Sequence, residues 1–284
     1  MDLAIFLGLT SALLYGITDF VARFANRETG VLRTMLWGQA FLAAVLTIIV
    51  LVNCKMPTRP PGDWLVLTVS NLAVVAGTGC LYRGLSVGRL TVVSPLMACY
   101  GAIGAVLSFA TGEKFAIAAL GGLLLAGAGA VLSASSGKKA DKAKSSGWLP
   151  ALGAAGFYGV GFWMQGKYVI PAFGPIVALW IYYVTASAAT ALVSLVRKVD
   201  LRLASVKDGA LVLGTAMLAG GGYAALAAGQ TTGKIAIVTA LSAASTAITV
   251  ILAFLFLKEK PGIKGWIGVA GVAFGVALLH LAQS

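Results

Sequence analysis

Charge is scarce in this 284-residue chain: Asp, Glu, Lys and Arg together make up 11% of it, against 59% hydrophobic residues. A soluble domain carries about a quarter charged residues, so a water-facing surface could not be covered with what is here. Histidine occurs once, at His280. Its place near the C-terminus reads as interfacial, not as part of a proton relay. Cys54, Cys80 and Cys99 have no CxxC spacing, and two of them fall inside apolar blocks, which reads as buried small hydrophobes. No GxxxxGK(S/T) phosphate loop is present, which argues against ATP-driven chemistry in the chain. HExxH is absent too, and one histidine leaves no Ser/His/Asp or Cys/His grouping. No catalytic residue, metal site or cofactor is expected, and the chain reads as a non-enzyme.

What fills the chain instead is apolar sequence, with a mean hydropathy of +0.94. It falls into blocks near 20 residues long, about what a hydrocarbon core of roughly 30 Å requires. Ten such spans are expected, at 3–22, 33–52, 64–82, 90–110, 115–134, 148–168, 175–195, 207–228, 235–256 and 263–282. The 36 glycines suit close helix–helix approach where lipid gives helices no hydrophobic reason to associate. The first block follows Asp2 directly and is expected to remain as a span. Only 133–147, SASSGKKADKAKSSG, reads as a flexible connection. The expected domains are therefore residues 1–134, a linker at 135–147, and residues 148–284, with five spans in each half.

The halves resemble each other. Tyr15-Gly16 meets Tyr158-Gly159 at an offset of 143. Residues 88–109 meet 233–254 at an offset of 145, with eight identities: Gly88, Val93, Leu96, Ala98, Ala102, Ile103, Leu107 and Phe109. Gly122 and Gly129 meet Gly268 and Gly275 at an offset of 146. An odd-numbered unit inserted twice gives an inverted repeat, with a binding site near the midplane between the halves. The expected fold is thus an all-α polytopic membrane protein of ten transmembrane helices, built as two inverted five-helix repeats around a central cavity.

Residues 94–113 (SPLMACYGAIGAVLSFATGE) and 240–275 (ALSAASTAITVILAFLFLKEKPGIKGWIGVAGVAFG) each hold a Pro- or Ser-bearing span and a Gly/Lys-Glu corner; the second adds a Gly-rich final span. In this, and in its five-plus-five plan, the chain resembles the drug/metabolite transporter superfamily, in its EamA-like branch. Within it, the chain is similar to bacterial amino-acid and metabolite exporters, including aromatic amino-acid exporters of the YddG type. The resemblance implies alternating-access export of a small amphipathic metabolite by a monomer in the inner (plasma) membrane. The partners it implies are a small-molecule substrate and the lipid bilayer. The chain has no acid in the middle of span one like that of proton-coupled small multidrug relatives.

Polar stripes supply the candidate substrate-binding residues. In span nine Thr239, Ser242, Thr246 and Thr249 recur at helical spacing and share one face. Ser94 and Met97 lie on the equivalent face of span four. Ser11, Tyr15 and Thr18 line up in span one, and Tyr158 and Gln165 in span six. Such faces either line a water-accessible cavity or bond back to their own helix carbonyls. Tyr82, Tyr100 and Trp163 add rings with polar tips, for stacking on a substrate or for packing. Arg89 and Lys234, repeat-equivalent at helix starts, are possible contacts for an anionic metabolite; lipid headgroups or solvent are the alternatives. Asp19 reads as an i,i+4 partner of Arg23.

The net charge of +12 reads as loop charge and not as a nucleic-acid surface. Sixteen of the 21 Lys and Arg sit in odd-numbered loops. The even-numbered loops hold only Lys55, Arg59, Lys114, Lys167 and Lys234. Short cytoplasmic loops carry the excess of cations, so the odd-numbered loops are expected in the cytoplasm.

Overall fold

The computed structural model describes residues 2–53, 56–113, 121–122, 124–125, 127–129, 132, 147–259 and 262–281. The linker apart from Gly147, Cys54, and the loop lysines Lys55, Lys114, Lys138, Lys139, Lys142, Lys144 and Lys260 lie outside the described residues.

The described residues form helices joined by short connections, with no strand among them. In chain order the helices are α1 (Leu3–Glu28), α2 (Val31–Asn53), α3 (Pro61–Val87), α4 (Leu90–Met97), α5 (Cys99–Ala110), α6 (Trp148–Met164), α7 (Ile170–Phe173), α8 (Pro175–Val196), α9 (Val206–Gln230), α10 (Ile235–Ala243), α11 (Ser245–Leu257) and α12 (Ile263–Leu281). Local chemistry sets their ends. The Asp2 carboxylate accepts from the Ala4 N–H and Ser205 Oγ from the Asp208 N–H, each satisfying an orphan donor of a first turn. Pro61 and Pro175 open their helices, where a missing N–H costs nothing. Pro95 removes a donor inside α4, and the helix breaks at Ala98. The second half breaks at Ala244 without a proline. Pro171 follows a π-turn over Gln165–Val169 that joins α6 to α7.

Among the described residues, seven helical stretches, counting 90–110 and 235–257 as one each, are long and apolar enough to cross a membrane. Large side chains such as Phe6, Ile48, Val106, Leu192 and Phe274 stand exposed on their outer faces, as contact with lipid requires.

Packing exchanges the two halves. α1 lies against α9, α10 and α11, while α6 lies against α3, α4 and α5. Glycines permit the approach at matching places. A Cβ on Gly16 would stand 2.6 Å from Ile248 Cβ, and one on Gly159 would stand 2.6 Å from Ile103 Cβ. Gly222 sits under the ring of Tyr15 as Gly77 sits under that of Tyr158.

The corners after α5 and α11 also match. Each turns through a left-handed residue, Gly112 (φ 92°) and Lys258 (φ 54°), and each is followed by a glutamate. Glu259 forms an ion pair with Arg23 and accepts from the N–H (3.3 Å) and hydroxyl (3.2 Å) of Thr91, in the first turn of α4. Glu113 accepts from the N–H of Ala236, in the first turn of α10, at 3.1 and 3.4 Å. Nearby, Lys167 Nζ donates to the Thr111 carbonyl at 3.2 Å. Thus α4–α5 and α10–α11 are clipped at both ends, each glutamate capping a helix of the other half. In the middle, Thr246 Oγ1 donates to the Ser94 carbonyl at 3.0 Å. Asp19 does not pair with Arg23 as its spacing predicts, because Glu259 takes that guanidinium.

Candidate functional site: a tyrosine-lined chamber between the halves

Where α1, α2, α3, α6, α8 and α9 converge they enclose a chamber of about 80 Å³. Seven of the chain's eight tyrosines line it: Tyr15, Tyr82, Tyr100, Tyr158, Tyr182, Tyr183 and Tyr223. Burying so many phenols requires partners for their hydroxyls. Tyr158 Oη donates to Thr78 Oγ1 (3.0 Å), Tyr100 Oη to Ser242 Oγ (3.0 Å), and Tyr223 Oη to Gln165 Oε1. The rings interlock: Tyr158 stacks on Phe162 with centroids 5.0 Å apart, and Tyr182 meets Tyr223 edge-on at 4.8 Å. Asp19, 2% exposed, is the one carboxylate in the lining, and no Lys, Arg or His stands among the lining residues.

Of the sequence candidates, Tyr15, Thr18, Tyr82, Met97, Tyr100 and Tyr158 are brought together around this chamber. Ser11, Ser94, Gln165, Thr239, Ser242 and Thr246 are buried just behind it in hydrogen bonds between helices. Ser11 Oγ meets Ser242 Oγ at 2.9 Å, Gln165 Nε2 donates to Asn71 Oδ1 at 3.1 Å, and Gln230 Nε2 donates to Thr239 Oγ1 at 3.3 Å. Ser94 Oγ donates to Asp19 at 3.2 Å. Trp163 stands outside the lining, its ring edge-on to the exposed Tyr168 at 5.6 Å. Arg89 and Lys234 are not brought together. Arg89 is exposed at the start of α4, and Lys234 pairs with Asp2 at 2.5 Å beside α10. That hydrogen bond from Lys234 holds the Asp2 carboxyl below the usual carboxylate range.

Sequence reading missed Phe162, Tyr182, Tyr183 and Tyr223. The available signal was the confinement of almost every tyrosine to an apolar block.

Met35 lines both the chamber and a second, wider cavity of about 1050 Å³ at the end bearing the first, third and seventh loops. Arg27, Arg33, Arg83 and Arg197 surround this vestibule. Toward the other end the chamber is closed by the Ser11–Ser242–Tyr100 and Asn71–Gln165–Tyr223 networks.

A multi-pass helical membrane protein with a chamber between two exchanged halves is the class defined by these features. The particular family is shown by comparison: residues 2–135 and 145–281 each match the EamA-like transporter family, to which the chain belongs. Members of this family are transporters, and the activity it implies is membrane transport of the drug/metabolite kind. A crystal structure of another protein shares the fold, with a TM-score of 0.76 at 17% identity over 99% of this chain and 97% of that one. No curated protein matches the chain.

Proposed function

We propose that the chain is an alternating-access exporter of small amphipathic solutes, aromatic amino acids among them. It acts as a monomer of ten spans in the inner (plasma) membrane. The observation that carries this reading is the chamber lined by seven tyrosines, because rings with bonded polar tips suit a solute with an apolar body and a polar head. The exchanged packing of α1 and α6, and the matched clips at opposite ends, support two inverted five-helix repeats. A vestibule on one side and a hydrogen-bonded closure on the other is the asymmetry expected of one state of an alternating cycle. A second reading, carriage of anionic metabolites, draws on the four vestibule arginines, since Arg89 and Lys234 stand apart.

Flux of aromatic amino acids into proteoliposomes tests the proposal. Tyr100→Ala and Tyr158→Ala are each expected to lower it by about tenfold, the size of a ring contact worth roughly 1.4 kcal/mol. Trp163→Ala is expected to leave it near the parent rate. Equal losses in all three variants would remove the chamber from the pathway.

Orientation follows the cation bias, with the vestibule facing the cytoplasm. Single cysteines at exposed positions, T58C in the second loop and A204C in the seventh, in a background lacking Cys54, Cys80 and Cys99, report it. An impermeant thiol reagent on intact cells is expected to label position 58 and spare position 204. The reverse pattern inverts the assignment.

A further inference from the structure

The chamber lining holds one acidic side chain and no cationic one. Asp19 is 2% exposed, sits in the lining on the same face of α1 as Tyr15, and forms no ion pair among the described residues. Its nearest cation in sequence, Arg23, is committed to Glu259. Ser94 donates one hydrogen bond at 3.2 Å, while the nearby Thr249 hydroxyl donates to the Gly16 carbonyl at 3.1 Å. A carboxylate has about four acceptor sites, so this donor leaves it under-satisfied. An ionised carboxyl without a cation is among the costliest groups to bury, so a cation entering the chamber is what would favour its charged form. Around it stand Tyr82, Tyr100 and Tyr158, whose phenols lie within electrostatic range of its charge. Their ring faces attract cations too.

Resting on the reading of the chamber as the substrate site, we infer that Asp19 receives the ammonium of a monocationic amine whose aromatic or alkyl body lies among the tyrosines. The ammonium supplies the missing countercharge and up to three donors, and the rings replace part of its hydration. A zwitterion fits less well. Its carboxylate would enter a chamber whose lining holds no Lys, Arg or His, next to a like charge. The inference therefore narrows the substrate class from amphipathic solutes in general to amines, ahead of the parent amino acids.

Three probes with one ring and different head groups test this: phenethylamine (cationic), phenylalanine (zwitterionic) and 3-phenylpropionate (anionic). Binding to the purified full chain and counterflow in proteoliposomes are measured for each. Phenethylamine is expected to bind at least about tenfold more tightly than phenylalanine, with 3-phenylpropionate weakest. Asp19→Asn should abolish that preference, bringing phenethylamine and phenylalanine within about twofold of each other. Should Asp19→Asn fail to fold, the ranking of the three probes on the parent protein decides by itself. Equal affinity for all three, or unchanged amine preference in a folded Asp19→Asn, overturns the role of Asp19 while leaving the chamber as the site. If binding of all three is indifferent to Tyr100→Ala and Tyr158→Ala, the chamber reading itself has failed.

Discussion

Glu259→Gln is expected to destabilise the protein by about 1–3 kcal/mol, the cost of removing the charge from a largely buried, hydrogen-bonded ion pair. Arg23 and Glu259 are each 11% exposed, so little water is present to replace the lost charge. The same substitution weakens the cap on α4, where both the Thr91 N–H and its hydroxyl lean on the carboxylate. The matching change at the other end, Glu113→Gln, should cost less. Burial pushes the Glu113 carboxyl above the usual range, against the opposing pull of the Ala236 N–H and Lys167, so its charged form is the less favoured one there. A folded-state value above the unfolded one means that the folded chain binds the extra proton. Stability from this group is fullest at acid pH and falls as pH rises from 4.5 through the raised value. Thermal unfolding in detergent between pH 4 and 8, a range of about four units chosen to bracket that titration, checks both points. Glu259→Gln should lower the midpoint throughout, and Glu113→Gln should flatten the decline on the alkaline side of 4.5. Equal effects of the two substitutions would mean that the clips are interchangeable and that the Arg23 pair contributes nothing special.

Gly16→Ala and Gly159→Ala should each cost about 1–3 kcal/mol, although they add only a methyl group. The new carbon at Gly16 would lie 2.6 Å from Ile248 Cβ and 2.9 Å from the Ser245 carbonyl oxygen. At Gly159 it would lie 2.6 Å from Ile103 Cβ and 3.2 Å from the Tyr100 carbonyl oxygen. These neighbours are backbone or branched at Cβ, so the helices must separate to admit it. Combined with Ile248→Gly, which removes both the Cβ at 2.6 Å and the Cγ2 at 2.8 Å, Gly16→Ala should cost less than the sum of the two single changes, and a double-mutant cycle on unfolding free energy measures the coupling. Strict additivity of the two changes would show that the contact does not hold α1 to α11. The same pairing is predicted for Gly159 and Ile103.

Much of this architecture is legible in the sequence because a membrane leaves few choices. The span starts at 90, 148, 175, 235 and 263 coincide with helix starts, since hydrocarbon tolerates no unbonded backbone. The pairing of Tyr15 with Tyr158 across the offset of 143 led directly to two chamber residues. Other parts were hidden for physical reasons. The stripe Thr239, Ser242, Thr246 has the spacing of a cavity face, yet its hydroxyls are spent on bonds to other helices, and periodicity is the same in either case. Around Tyr183, the stripe Ser187, Thr190 and Ser194 bonds partly back to its own helix, Ser187 to the Tyr183 carbonyl and Ser194 to the Thr190 carbonyl, so polar spacing does not tell which face turns inward. The pairing of Arg23 joins residues 236 positions apart, which no local spacing rule can see, and it left Asp19 without the neighbour expected of it.

The double clip restricts how such a molecule can move. If two rigid halves simply rocked apart, the contacts of Glu113 with α10 and of Glu259 with α4 would open and close by turns; yet both are made at once here, at opposite ends of the same helix pair. A motion that keeps both clips would carry the stretches 90–110 and 235–257 together as one body. The other helices would then move against that body, whose two breaks, at Ala98 and Ala244, lie midway along its length.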